Sequence, residues 1–179
     1  MSQAVFTHDT EVCLVAAAEI LNAPAPERLE EIWDYMDRWD WSGERPSEIA
    51  ELAQVHRVLT RLHAIWLAPL HEAVAKTNKL LRDAAALPQL VHHEPIGWHV
   101  HAAAEDSGFA TRLAVDTAMA IVDAIRAGAF ERLQVCAAND CDDVYVDLSK
   151  NRSRKYCDAT CGAKAHTAAY RARKARPAN

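Results

Sequence analysis

Glycine and proline are scarce in this sequence, five and seven of 179 residues, and no apolar run approaches the roughly 20 residues that a membrane-spanning helix needs. So few turn formers argue against a many-stranded sheet protein, and the 50% apolar, alanine-rich remainder favours helices. A basic leader is also missing: Asp9 and Glu11 precede the first apolar stretch, Val12 to Ala18, which therefore does not read as a secretory signal. The expectation is a cytoplasmic chain with no membrane partner. In that reducing compartment five cysteines, four of them clustered, suit metal ligation better than disulfides. The fifth, Cys13, lies among Val12, Leu14, Val15 and Ala16 and reads as a small buried hydrophobe rather than a redox sensor.

The formal net charge of −5 conceals an asymmetry. Residues 150–179 hold nine of the 20 Lys and Arg and one of the 25 acids, a balance of +8, which leaves 11 bases against 24 acids in residues 1–149, a balance of −13. An acidic body avoids casual contact with polyanions. A concentrated basic end is the usual footprint of a nucleic-acid or membrane-surface partner.

Helical periodicity is clearest at Leu52, Val55, Leu59, Leu62 and Trp66, with Ser47 as N-cap and Pro69 as a stop. Leu70, Val74, Thr77, Leu81 and Ala84 repeat it beyond Pro69, and Ala114, Ala118, Ile121 and Ile125 mark another helix from near Ser107 to Gly128. Residues 10–21 and a stretch from about Pro26 to Arg38 are expected to be helical as well. The period breaks at Leu90-Val91-His92-His93 and Trp98-His99-Val100-His101, which flank Pro95-Ile96-Gly97 and read as a small β-hairpin. His99 and His101 then share a face, where a half-solvated hairpin explains them better than a second metal site. Trp33, Trp39, Trp41 and Trp66 read as core, and His56 and His63 as flanks of their helix.

The chemistry-bearing pattern is C-x4-C-x15-C-x3-C at Cys136, Cys141, Cys157 and Cys161. Zinc takes four soft donors at tetrahedral corners, and two short-spaced pairs deliver them without long loop closures. Val144-Tyr145-Val146 between the pairs reads as a strand and residues 149–153 as a turn, while Cys157 and Cys161 fit one face of a helix's first turn. A knuckle, a hairpin and a helix start make a treble-clef-like finger. So small a segment buries little apolar surface, so the zinc is expected to be structural, with all four positions filled by protein. A catalytic treble-clef nuclease would need a general-base histidine along the hairpin; none occurs between Gly128 and Ala165, and His166 lies past the second pair, so no enzyme is expected.

The run Val135 to Cys141, the run Asp147-Leu148-Ser149-Lys150-Asn151-Arg152-Ser153-Arg154-Lys155-Tyr156-Cys157 and the pair Cys161-Gly162 resemble the bacterial CGNR zinc finger over about residues 132–174. That family pairs the finger with an N-terminal helical ABATE domain and is regarded as stress-induced transcription regulators. The resemblance implies a helical ABATE domain over residues 1–131, serving sensing or dimerisation, and the four-cysteine finger over 132–179. The sequence departs from the name-giving motif, with Ala163 and Lys164 where the family has Asn and Arg: lysine keeps the charge without the planar fork, and alanine removes the amide.

The fold expected is therefore mostly α, a helical domain with one small β-hairpin followed by the finger. The function expected is transcription regulation through double-stranded DNA, contacted by Lys150, Asn151, Arg152, Arg154, Lys155, Lys164, Arg171, Arg173 and Lys174. A homodimer and a small-molecule effector are the further partners this reading calls for. The competing reading is a zinc-stabilised protein-interaction or RNA-binding module.

Overall fold

The computed structural model describes residues 6–93, 97–104 and 106–175, among which six α-helices and two two-stranded antiparallel sheets are formed. Pro95 and Ile96 of the expected hairpin turn lie outside the described residues. Helix α1 (His8–Asn22) starts where the Thr7 hydroxyl accepts from the Thr10 N–H, with Asp9 and Glu11 favouring the positive end of the helix. Helix α2 (Leu29–Arg38) begins later than Pro26, because the Glu31 carboxylate accepts from the Glu27 and Arg28 N–H groups and fixes the first turn there. Pro26 instead lies outside the helix, and its carbonyl meets His56 Nε2 at 2.7 Å.

Helix α3 (Ala50–Trp66) buries Leu52, Val55, Leu59, Leu62 and Trp66, the stripe expected from the periodicity. Its cap differs from expectation: the Glu51 carboxylate accepts from the Ser47 and Glu48 N–H groups, so Ser47 contributes its backbone rather than its hydroxyl. Pro69 does not itself stop α3, which ends at Trp66; it stands immediately before helix α4 (Leu70–Asp83). The buried face of α4 keeps the expected Thr77 but takes Ala73 and Leu80 in place of Val74 and Leu81, while Leu70 is 46% exposed and Leu81 half-buried. Two adjacent i, i+4 rows both carry apolar residues on this helix. Packing against α3 and α5 (Phe109–Arg126) selects the row with the small Ala73 at the contact.

Helix α5 is the centre of the body, packed against α1, α3 and α4. Its alanines at 110, 114, 118, 120 and 124 are all buried and admit close neighbours. The expected stripe holds at Ala114, Ala118 and Ile121, with Ile125 half-buried. Gly128, at φ 62°, ends α5: its N–H reaches the Ile125 carbonyl and that of Ala129 the Ala124 carbonyl, the two bonds of a Schellman turn. Between α4 and α5, strands β1 (Gln89–His93) and β2 (Gly97–His101) form the expected hairpin, pairing Leu90 with Val100 and His92 with Trp98.

After α5 one 3-10 turn, Phe130–Arg132, feeds the second sheet, β3 (Leu133–Val135) and β4 (Val144–Val146), and helix α6 (Ala159–Ala175) closes the described chain. Leu133, Val144 and Val146 belong to the same hydrophobic core as the helices, and the Trp66 indole N–H donates to the Gln134 carbonyl at 3.3 Å. The sheet that begins the cysteine-bearing segment is thus seated on α1 and α3. Among the described residues no helix is long and apolar enough to cross a membrane.

Candidate metal centre

Four short pieces of chain position the four cysteines. Cys136 leaves β3 and its N–H bonds the Asp143 carbonyl at 2.8 Å, which closes a knuckle whose tip turns through Cys141 N–H to the Ala138 carbonyl. The second pair is brought over this knuckle by the Ala137 N–H, which bonds the Lys155 carbonyl at 2.9 Å. Cys157 precedes α6 rather than lying in it, contrary to the placement of both sulfurs on one helical turn; the helix starts at Ala159 because Asp158 Oδ1 accepts from the Cys161 N–H at 2.7 Å. Cys161 alone lies in the first turn.

The four Sγ atoms lie within 4.8 Å of one another, with Cys141 and Cys161 at 3.6 and 3.7 Å from Cys157. Sulfurs at tetrahedral corners 2.3 Å from one zinc ion stand about 3.8 Å apart, so the donor set fits a single zinc with no position left open. The Cys157 N–H also points to Cys136 Sγ at 3.4 Å, the kind of donor that favours a thiolate. Cys13 takes no part: it is half-buried against the helical core, and burial pushes its thiol up to about 12.

The loop joining the pairs is held by groups that spacing did not single out. Arg132, buried, donates to the carbonyls of Asp147 and Ser149 at 2.7 and 2.8 Å. Asp147, also buried, accepts from the N–H groups of Ser149 and Arg154. Burial by itself would raise this carboxyl, but those hydrogen bonds and the Arg132 charge hold it below the ordinary carboxylate range. Asp147 two residues before Ser149 was the available signal, since such a pairing is an Asx-turn signature.

These contacts sort the expected DNA-contacting residues. Arg154 is tied down within the finger: its Nε donates to the Tyr156 carbonyl at 2.9 Å, a terminal nitrogen reaches the Cys157 carbonyl, and the guanidinium lies 4.8 Å over the Tyr145 ring. Arg152 forms an ion pair with Glu131. Lys150, Asn151 and Lys155 are exposed on the loop, and Lys164, Arg171, Arg173 and Lys174 are exposed along α6. Loop and helix adjoin: the Tyr156 and His166 rings are 6.3 Å apart, and a cleft of about 630 Å³ runs between Arg154, Lys155 and His166.

The hairpin histidines form no part of this centre. His99 Nδ1 lies 3.0 Å from the Gly97 carbonyl and its Nε2 3.0 Å from His101 Nε2.

A small sheet, a knuckle and a helix start joined by four convergent thiols define a zinc-binding module of the four-cysteine finger class. Residues 132–174 match the CGNR zinc finger family model. No curated protein sequence matches the chain.

Proposed function

We propose that this chain is a cytoplasmic transcription regulator that binds double-stranded DNA through its finger, and that the acidic helical body serves homodimerisation or the sensing of a small effector. The observation that carries the reading is the union of two basic groups. A bound zinc would hold the loop at 150–155 against the start of α6, and in this reading the exposed Lys150, Lys155, Lys164, Arg171, Arg173 and Lys174 act as one surface on a chain otherwise at −13. Phosphates would be drawn to that surface and repelled elsewhere, which orients the approach. Asn151, exposed beside Lys150, is the side chain there best suited to an adenine edge.

A second reading, an RNA-binding or protein-interaction module, is favoured by the internal bonds of Arg154 and the pairing of Arg152 with Glu131, the two arginines otherwise suited to guanine edges. Binding of the zinc-loaded full chain to duplexes selected from a random pool, with scrambled duplex and RNA as competitors, separates the two. The DNA reading expects affinity to fall with salt by a log–log slope of about 0.9 per phosphate contacted, over roughly four to six contacts. Selected duplex displaced equally by RNA or scrambled DNA, or no binding at low salt, would overturn it.

A further inference from the structure

Beside the zinc centre, against β3 and β4, lies a cavity of about 350 Å³ whose polar lining is Glu131, Gln134, Asp147, Arg152, Arg154 and Lys155. Its charged groups differ in how firmly they are held. Asp147 is turned inward to the Ser149 and Arg154 N–H groups and faces the Arg132 charge, so it adds little free negative charge to the cavity. Arg154 holds two carbonyls and cannot turn away without releasing the Cys157 segment. Lys155 has no hydrogen-bond or ion-pair partner through its side chain among the described residues. Arg152 has one, the Glu131 carboxylate, in a pair whose side chains are 54% and 50% exposed.

An ion pair so open to water is weak and exchanges readily. Its carboxylate offers the guanidinium the same planar pair of oxygens that a phosphate offers, and a phosphate adds a further oxygen within reach of a lysine ammonium. Arg152 is also held at φ 52°, an unfavourable conformation for a side chain of its kind, fixed by its N–H to the Ser149 carbonyl and by the Ser153 N–H to Ser149 Oγ. A loop that keeps an arginine so placed, beside an unpaired lysine, is organised for an anion.

We propose that this cavity is a phosphate seat: a phosphodiester displaces Glu131 from Arg152 and is held by Arg152 and Lys155. Glu131 is then a built-in competitor that thins nonspecific binding. The assignment of that phosphate to the backbone of a DNA duplex rests on the function proposed above; the seat itself does not.

The test uses the zinc-loaded full chain and two probes, inorganic phosphate and duplex DNA. Phosphate is expected to shift the nuclear magnetic resonance signals of Arg152 Nε–H and the Gln134 and Lys155 amides. Glu131→Gln is expected to tighten both probes about two- to fivefold, the worth of one exposed ion pair, and Arg152→Gln to weaken both. In the Arg152→Gln background, Glu131→Gln is expected to have no effect, whereas Asp140→Asn, an exposed acid outside the cavity, should change little in either background. Zinc content confirms that each variant folds, and Lys155→Gln replaces Arg152→Gln if that variant does not. An equal gain from Glu131→Gln with and without Arg152, or unshifted cavity signals, overturns the seat even if the duplex binds. Cavity shifts and the same coupling with phosphate, but no duplex binding, uphold the seat and overturn the DNA reading.

Discussion

The side-chain amide of Asn22, the last residue of α1, closes both backbone groups of Val144: Oδ1 accepts from the Val144 N–H and Nδ2 donates to its carbonyl, each at 2.8 Å. Val144 is fully buried, and the exposed Asn22 side chain is what covers its two backbone groups. Asn22→Ala is expected to destabilise the chain by about 2–4 kcal/mol, since each buried backbone group left unpaired costs about 1–3 kcal/mol. Urea unfolding of the zinc-loaded protein measures it. A midpoint equal to that of the parent would show that the finger's sheet is held by apolar packing alone.

Metal analysis is expected to give one zinc per chain, and Cys157→Ser to lose it. Chelation should unravel the chain unevenly. Residues 150–175 have few buried side chains and depend on the metal, whereas Leu133, Val144 and Val146 remain in the common core. Amide hydrogen exchange with and without chelator is expected to lose protection in α6 and keep it at Val144 and Val146. Equal loss across both would mean that the zinc also holds the sheet to the body.

Burial raises the Asp116 carboxyl to about 6, the nearby Arg112 and His99 offsetting only part of the effect. A carboxyl whose pKa is higher folded than unfolded binds more protons in the native state, so stability falls as pH rises between about 4 and 6. Asp116→Asn removes that loss. The variant is expected to match the parent near pH 4 and to be more stable by about 1–3 kcal/mol above pH 6.5, with thermal midpoints across that range as the measure. A difference that does not change with pH would refute it.

Ala85 occupies the left-handed position that ends α4, at φ 50°, with the Ala85 and Ala86 N–H groups bonded to the Arg82 and Leu81 carbonyls. Glycine carries no penalty there, so Ala85→Gly is expected to stabilise the protein by about 0.5–1 kcal/mol despite its greater freedom when unfolded. A destabilised variant in thermal unfolding would show that the Ala85 methyl contributes packing of greater worth.

What the sequence made legible is what local spacing encodes. The stripe of α3, the hairpin at 89–101 and the four convergent cysteines each follow from separations of a few residues or from two close pairs. The inward row of α4 was not legible, because both adjacent rows are apolar and the choice belongs to the partner helices. Asn22 gave no signal either: its partner lies 122 residues away, and an asparagine at a helix end looks like any other cap. Arg152 and Arg154 were readable as basic, but their partners within the finger were not. Whether an arginine faces a phosphate or its own backbone depends on which carbonyls and acids the folded loop brings beside it.

Helix α6 runs for 17 residues, about 25 Å, and from His166 onward every described side chain on it is exposed. Among the described residues it is therefore a cantilever clamped at the sulfur cluster and at Tyr156. A tilt of 10° at the clamp moves its far end by about 4 Å, more than the reach of one hydrogen bond, though the sulfurs themselves shift by tenths of an ångström. The metal's bond lengths and angles thus set the aim of Arg171, Arg173 and Lys174. Exchange of zinc for a larger ion should leave the body untouched while swinging those three side chains out of register with whatever surface they meet.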